Sequence, residues 1–504
     1  MLTTLIILGI VFIGVLGIWS RTRQTSLAGW TVGKRDLPRW TTWFLQAGEA
    51  LTTFSFLGLA GIAFGGGVAA LFAIGYLTIS CVLQYFIFPR QRALGANRGY
   101  LTMADFFQDR FGSPTLGRTV AIVGALFLIP YLQLQITGLG LIVQLATGSG
   151  QASSYSMIVA SALVVVFVIW AGIRGLARVA IFKDFIMVAA LVVVLAGVVA
   201  GVGGIPDVVA KVNAISSDYF TVSRNGFDST FWITSVIVTG LGAGFNTFPH
   251  LWPPVLAARS GAMLRRNVSW LALYQLALII PILAGLAGIL ILNPTTKGNS
   301  VLLSVAQATL PEPLIALIAV GGAAAAMVPA GAIAMGISLL VSNNVLSIRK
   351  PKLRFRVNHA VVAVAVALAL AFGLAKSDIA ALLLLTYGGL AQVVPAVAFA
   401  IARKVRVGGI PVTLGILTGT LTVAVITFGG VKTGGIDSGL IALVPNLTVI
   451  VVAEAMRRML RPGQPPVPPE ADEEFDVQRP APAAAAPVTA DTGTGEAAVA
   501  EVQA

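Results

Sequence analysis

Gln46-Ala-Gly-Glu-Ala-Leu-Thr-Thr-Phe-Ser-Phe-Leu-Gly-Leu-Ala-Gly61 lies in an apolar segment long enough to cross a bilayer, yet it carries the carboxylate of Glu49. Gly48 stands beside that carboxylate, and Thr52, Thr53 and Ser55 follow it. A charge at membrane depth is costly, so it normally faces protein or a water-filled cavity and marks a path for ions or substrate. An adjacent glycine permits an interrupted helix, and many secondary transporters expose backbone to their cargo through helices broken near the midplane. The plainer alternative is a kinked helix whose glutamate is tied to a neighbour.

The remainder of the chain has the composition such a segment needs. Hydrophobic residues make up 57% of the 504 and charged residues 11%, against roughly 25% charged in soluble domains. Apolar runs near twenty residues long recur, as membrane-spanning helices require. The expected fold class is therefore an all-α polytopic membrane protein. It has about thirteen spans, near 2–20, 39–63, 68–89, 119–147, 155–173, 180–203, 229–252, 268–292, 314–346, 358–375, 379–402, 410–429 and 438–456. A single cysteine, Cys81, excludes an intrachain disulfide, and two distant histidines, His250 and His359, argue against a zinc centre.

The formal charge of +13 invites a nucleic-acid reading, which its distribution rejects. With the N-terminus outside and the C-terminus inside, 27 Lys and Arg fall on inner connections and the tail. Only Lys211, Arg224, Lys297, Lys376 and Lys432 fall outside. That asymmetry follows the positive-inside rule, so the basicity sets orientation in a cytoplasmic membrane. The first span lacks a basic n-region and is followed by Arg21 and Arg23, the pattern of a retained helix and not a cleaved leader. The inner stretch 101–110 suggests a short amphipathic helix at the membrane surface, capped by Thr102 or Asp105. The outer loops 204–228 and 293–313 are polar and rich in breakers. From Arg461 the composition turns to Pro, Ala, Glu and Thr, which predicts a disordered cytoplasmic tail.

A second interruption stands at Thr239-Gly-Leu-Gly-Ala-Gly-Phe-Asn-Thr-Phe-Pro-His250. It lies five spans after the first, so the two enter the membrane from opposite sides, a pairing that points to a substrate site. Glycine alone would also serve close helix packing; Asn246, Pro249 and His250 in the same turns favour an unwound segment. Tyr131 and Gln135, four apart, share a helix face. Tyr387 and Gln392 are further polar residues in an apolar span. Gly321 to Met335 is small throughout, as tight helix contact would need. Lys183 and Asp184 are adjacent and point about 100° apart, so neutralisation across one face is not expected. Either Lys183 snorkels to the inner surface, or one of the two reaches the polar centre, where an ammonium could replace a transported cation.

Several ordered blocks between residues 2 and 457 resemble the solute:sodium symporter family. They are Glu49–Gly61, Phe88-Pro-Arg90, Gly99–Gly112, Ile129–Gly138, Gly175 through Asp184, Phe248-Pro-His250 and Leu384–Gln392. Within the family they are most similar to the monocarboxylate permease branch. The resemblance implies a LeuT-type fold of two inverted five-helix repeats, 39–203 and 204–402. These are preceded by a helix and inner loop at 1–38 and followed by two helices at 403–460 and the tail at 461–504. It also implies sodium held by the carbonyls of Gly48 and Leu51 and by two hydroxyl residues, which fall here on Ala334 and Met335. Ser338 lies one turn further on, and the position of an assisting aspartate matches Asp184.

From these residues the chain reads as a cation-coupled symporter for a small organic solute, a short monocarboxylate by resemblance, with an amino acid or other solute as the alternative. Glu49, Thr52, Thr53, Tyr131, Gln135, Asn246, Phe248, His250, Tyr387 and Gln392 are the candidate cargo residues. Gly48, Leu51, Lys183, Asp184 and Ser338 are the candidate cation residues. The missing hydroxyls suggest that sodium coupling is weakened or replaced by protons, with Lys183, Asp184 or Glu49 titrating. No resident cofactor, nucleic acid or obligate protein partner is expected, only cargo, coupling ion and lipid. An intramembrane enzyme would need a nucleophile–base set or metal cluster, and a sensor a folded domain after Arg461; the sequence has neither.

Overall fold

The computed structural model describes residues 2–19, 26–148, 150–224, 228–374 and 379–467. Beyond 467 the expected tail lies outside the described residues, as do Arg21, Arg23 and Lys376. The described residues form helices joined by turns and loops, with one isolated bridge between Leu37 and Ala258. Ten helices are long and apolar enough to span a membrane, eleven if one bent pair counts as a span, and Thr4–Gly17 is a shorter apolar helix. The expected thirteen is thus not reached on length and apolarity. One reason is that Phe54–Arg98 is near-continuous helix over 45 residues. At 1.5 Å per residue it would be about twice the thickness of a hydrocarbon core. It reverses at Gly67, where φ is +61°.

The chain begins with α1 (Leu2–Trp19), then α2 (Arg39–Ala47), which stops short of Glu49. A π-helical turn (Phe54–Gly58) leads into α3 (Leu59–Gly66) and, past the reversal, α4 (Phe72–Arg98). The short α5 (Met103–Arg110) carries the capping box that Thr102 and Asp105 promised. It is not a lipid-surface helix: Met103, Ala104, Phe106, Phe107 and Arg110 are all buried. Next come α6 (Pro114–Thr147), α7 (Ser153–Trp170) and α8 (Gly172–Val202), the last two joined at Gly172, whose φ of +56° breaks the helix.

The second half opens with α9 (Ser229–Gly244) and α10 (Trp252–Ala257), a pair bent by 41°. It continues with α11 (Gly261–Ile291), α12 (Val301–Thr309) and α13 (Glu312–Val345). The connection 293–313, expected as an outer loop, contains α12, whose Val301, Leu302, Leu303, Val305 and Ala306 are buried. The connection 204–228, also expected as an outer loop, holds the helix Ile205–Ile215. Both helices are too short for their apolar periodicity to stand out among breakers. The chain ends with α14 (Pro351–Leu374), α15 (Ile379–Ala391), α16 (Val394–Ala400), α17 (Gly409–Phe428) and α18 (Ser438–Leu460).

The small-residue helix α13 is central: 83% of its apolar window is buried. A Cβ on Gly321 would lie 2.9 Å from that of Ala190 in α8, and one on Gly331 would lie 2.8 Å from the Phe167 ring in α7. Lipid removes the hydrophobic drive between helices, so close backbone approach and van der Waals contact must hold them together.

At the basic end the lead-in to α2 is tied to α10. Arg35 donates to the carbonyls of Leu256 (3.2 Å) and Tyr100 (2.6 Å), and Arg92 donates to those of Ala258 (3.0 Å) and Arg259 (2.6 Å). Burial, helped by Arg92, lowers the Arg35 guanidinium to about 10, so it stays charged at neutral pH. At the opposite end a Cβ on Gly61 would fall 2.5 Å from the Gly298 carbonyl oxygen, and one on Gly67 1.9 Å from that of Tyr219.

Candidate functional site

Both predicted interruptions are present, and they face each other. Between α2 and the π-turn, residues 48–52 leave the helix; between α9 and α10, residues 245–248 do so, with Asn246 at φ +58°. Across this gap the carboxylate of Glu49 meets the imidazole of His250, with Nε2 to Oε2 at 3.1 Å. Both side chains are buried or nearly so (His250 1% and Glu49 9% exposed), a contact fit for a charge at membrane depth.

An aromatic cluster surrounds the pair. The ring of Tyr131 lies 5.5 Å from that of His250, and Phe248 packs edge-on to both. Tyr387 approaches Phe248 at 4.5 Å and Tyr76 at 5.7 Å. Gln135 accepts from the Thr53 amide at 3.4 Å, so the Tyr131–Gln135 face does meet the first break. Gly138 makes that approach possible, since a Cβ there would overlap the Thr53 methyl. Thr53 Oγ1, Gln135 Nε2, Thr137 Oγ1 and His250 Nδ1 are buried without a protein hydrogen-bond partner. Such atoms are costly when unsatisfied, so those of Thr53, Gln135 and His250 at the breaks suit a polar ligand, whereas Thr137 Oγ1 lies against Gly373 of α14.

Beside Glu49 lies a cavity of about 60 Å³, lined by Gln46, Ser80, Gln84, Gln275 and Tyr387 among others. The sequence reading missed Tyr76, Gln46, Gln84 and Gln275. One signal was available: Tyr76, Ser80 and Gln84 recur every four residues along an apolar helix and so share a face.

Two expected cargo residues serve elsewhere. The Asn246 side-chain amide donates to Gln91 (2.8 Å) and its backbone carbonyl accepts from the Trp252 indole (2.7 Å), holding the bend between α9 and α10. Gln392 donates to the carbonyls of Gly388 and Gly439, pinning α15 against α18. An amide in a span needs partners, and here the neighbouring backbone supplies them. Thr52 is buried at the break, beside Tyr131.

The cation candidates regroup. Lys183 is fully buried and does not snorkel, because α8 begins at Gly172, placing Lys183 about 16 Å along the helix. Its ammonium donates to the Gly48 carbonyl at 2.8 Å and pairs with Asp184 Oδ1 at 2.8 Å. The adjacent residues thus do neutralise each other, since the long lysine stem curls back where straight projections would diverge. Ala334 and Met335 are buried and bring no side-chain oxygen, and Ser338 Oγ donates to the Met335 carbonyl of its own helix (2.9 Å). Leu51 is buried at the break.

A broken-helix pair, buried ionisable groups at the break and a polar cavity beside it define a membrane carrier. The sodium:solute symporter family model matches residues 30–406, and the chain belongs to that family. It is therefore a multi-pass membrane symporter that moves a small molecule with a cation. Its curated relatives include the uncharacterized symporter YodF of Bacillus subtilis, 30% identical over 90% of this chain and 92% of that one. A monocarboxylate transport permease protein of Rhizobium johnstonii is 24% identical over 51% of this chain and 52% of its own length. The osmoregulated proline transporter OpuE of Bacillus subtilis is 26% identical over 56% and 58%. Among solved structures, a Na⁺-coupled sialic acid symporter in a substrate-bound outward-open state superposes with a TM-score of 0.75. The match covers 92% of this chain and 98% of that one at 16% identity, a likeness of fold.

Proposed function

We propose that this symporter imports a short monocarboxylate across the cytoplasmic membrane by alternating access, drawing on a sodium or proton gradient. The observation that carries the reading is the Glu49–His250 contact at two opposed helix breaks. Groups of opposite polarity meet there beside unsatisfied donors on Thr53 and Gln135. A carboxylate cargo would find the Gln135 Nε2 amide and the start of the helix that follows the break, where the helix dipole favours an anion. The aromatic rings of Tyr131, Phe248 and Tyr387 would enclose its short apolar part. The resemblance to monocarboxylate permeases supports the same class. In this reading 39–203 and 204–402 are inverted repeats that rock about the breaks.

An amino acid is the second reading, favoured by the similarity to proline carriers. Uptake into proteoliposomes of labelled acetate, pyruvate, lactate, proline and glucose separates the two. Each is measured with and without sodium and with an uncoupler. Saturable uptake of pyruvate or lactate, competed by acetate and not by proline, is the expected result; proline uptake alone would replace the first reading with the second.

A further inference from the structure

Helix α2 ends at Ala47, and turn bonds from Gly48, Glu49, Ala50 and Leu51 take up the carbonyls of Phe44, Gln46 and Ala47, while the Gly48 carbonyl at the start of the break takes a side-chain donor instead. Such an end carries a partial negative charge, and in carriers built on broken helices half-helix ends and unwound carbonyls are where the coupling cation is held. Here the Gly48 carbonyl already has a cation. The Lys183 ammonium lies 2.8 Å from it, fully buried, with Asp184 at 2.8 Å on its other side.

Sodium does not fit what is left. It prefers several hard oxygen ligands. At the positions where the resemblance puts its hydroxyl ligands, α13 offers the methyl of Ala334 and the thioether of Met335, and Ser338 Oγ is bonded within its own helix. An ammonium offers three donors in place of one ion's coordination, and its tether to α8 removes the need to recruit it from solution.

We propose that Lys183 is a built-in cation: its ammonium occupies the carbonyl end of α2 in place of a bound sodium ion, so the chain takes no sodium at this position. This rests on the symporter reading and narrows its coupling ion. The consequence is structural as well as energetic. The contact joins α2, which belongs to the broken pair, to α8, and it persists through every step that a dissociating ion would interrupt.

The test uses the purified full-length protein in nanodiscs and needs no cargo. Saturable ²²Na⁺ binding is measured directly, and thermal unfolding is followed in choline, lithium, sodium and potassium chloride at equal ionic strength. The wild type is expected to bind no ²²Na⁺ saturably and to melt alike in all four salts. Lys183→Ala, which leaves Asp184 and the Gly48 carbonyl without their cation, is expected to melt several degrees lower in choline and to recover with a small alkali cation. Saturable sodium binding or sodium stabilisation in the wild type overturns the proposal. So does a variant rescued by none of the cations, or one that melts like the wild type in choline, because the ammonium would then hold no cation's place. Should Lys183→Ala not fold, the wild-type measurements decide alone. Absence of uptake for every solute in the panel would refute the cargo reading and leave these binding results standing.

Discussion

At the scale of single residues, function concentrates where the bilayer makes polarity expensive. Glu49 and His250 satisfy each other across the two breaks, and removing either leaves the other buried without its partner. Losing one member of a buried hydrogen bond costs about 1–3 kcal/mol. His250→Ala should therefore lower the unfolding temperature by several degrees and reduce uptake at least tenfold. Glu49→Gln keeps a hydrogen-bonding group of the same shape and should retain most of the stability while still losing transport. Thermal unfolding and proteoliposome uptake on the same preparations check both, and a fully active Glu49→Gln would remove the carboxylate from the mechanism. The pair was half legible beforehand. Glu49 and His250 each stood out as polar residues in apolar spans, but nothing in the sequence said that they touch. Asn246 and Gln392 stood out equally and proved to bind backbone or a neighbouring amide. Residue type marks a polar atom that needs a partner and does not say which partner it finds.

At the scale of elements, the two breaks are positioned by glycines that let neighbours come close. Gly138 receives the Thr53 side chain, so Gly138→Ala should push α6 from the π-turn and lower the apparent cargo affinity. A tenfold rise in the uptake KM with little change in expression is the expected result. Gly67 has both a left-handed φ and the Tyr219 carbonyl in its path, whereas Gly99 has a φ of +77° with open space around it. Gly67→Ala should cost more than Gly99→Ala, which carries backbone strain of about 1–2 kcal/mol alone. Unfolding temperatures of the two variants order them directly. Element types were largely readable from apolar run length, and the capping box at Thr102 and Asp105 from local spacing. The buried α12 was not readable, because nine residues give too few turns for a pattern and its burial is decided by distant helices.

At the scale of the whole molecule, the asymmetry of the basic residues predicts an orientation that can be measured. With Cys81 buried, single cysteines introduced at Lys211 and Lys297 should react with an impermeant maleimide from outside intact cells. Cysteines at Lys350 and Arg403 should react only after permeabilisation; the reverse pattern would invert the topology. The clamp at the basic end follows the same logic of burial. Arg92 and Arg35 hold backbone carbonyls from largely buried positions, while Asp36 and Arg174 pair at 2.6 Å with 48% and 33% of their side chains exposed. An ion pair that open to water is worth little. Arg92→Ala should therefore destabilise clearly more than Asp36→Asn, which should be near neutral in thermal unfolding.

Hydropathy, charge asymmetry and the glycine-flanked polar residues determined by themselves that this is a polytopic helical carrier with two interrupted helices. Those properties follow from the cost of placing polar groups in lipid, which acts on each segment separately. Only the tertiary structure decided that Glu49 reaches His250 and that Lys183 reaches Gly48, 135 residues away in the chain. Such contacts depend on how far a helix extends before it breaks and on which backbones small residues allow to meet. Both are settled by packing between segments, and no single segment carries that information.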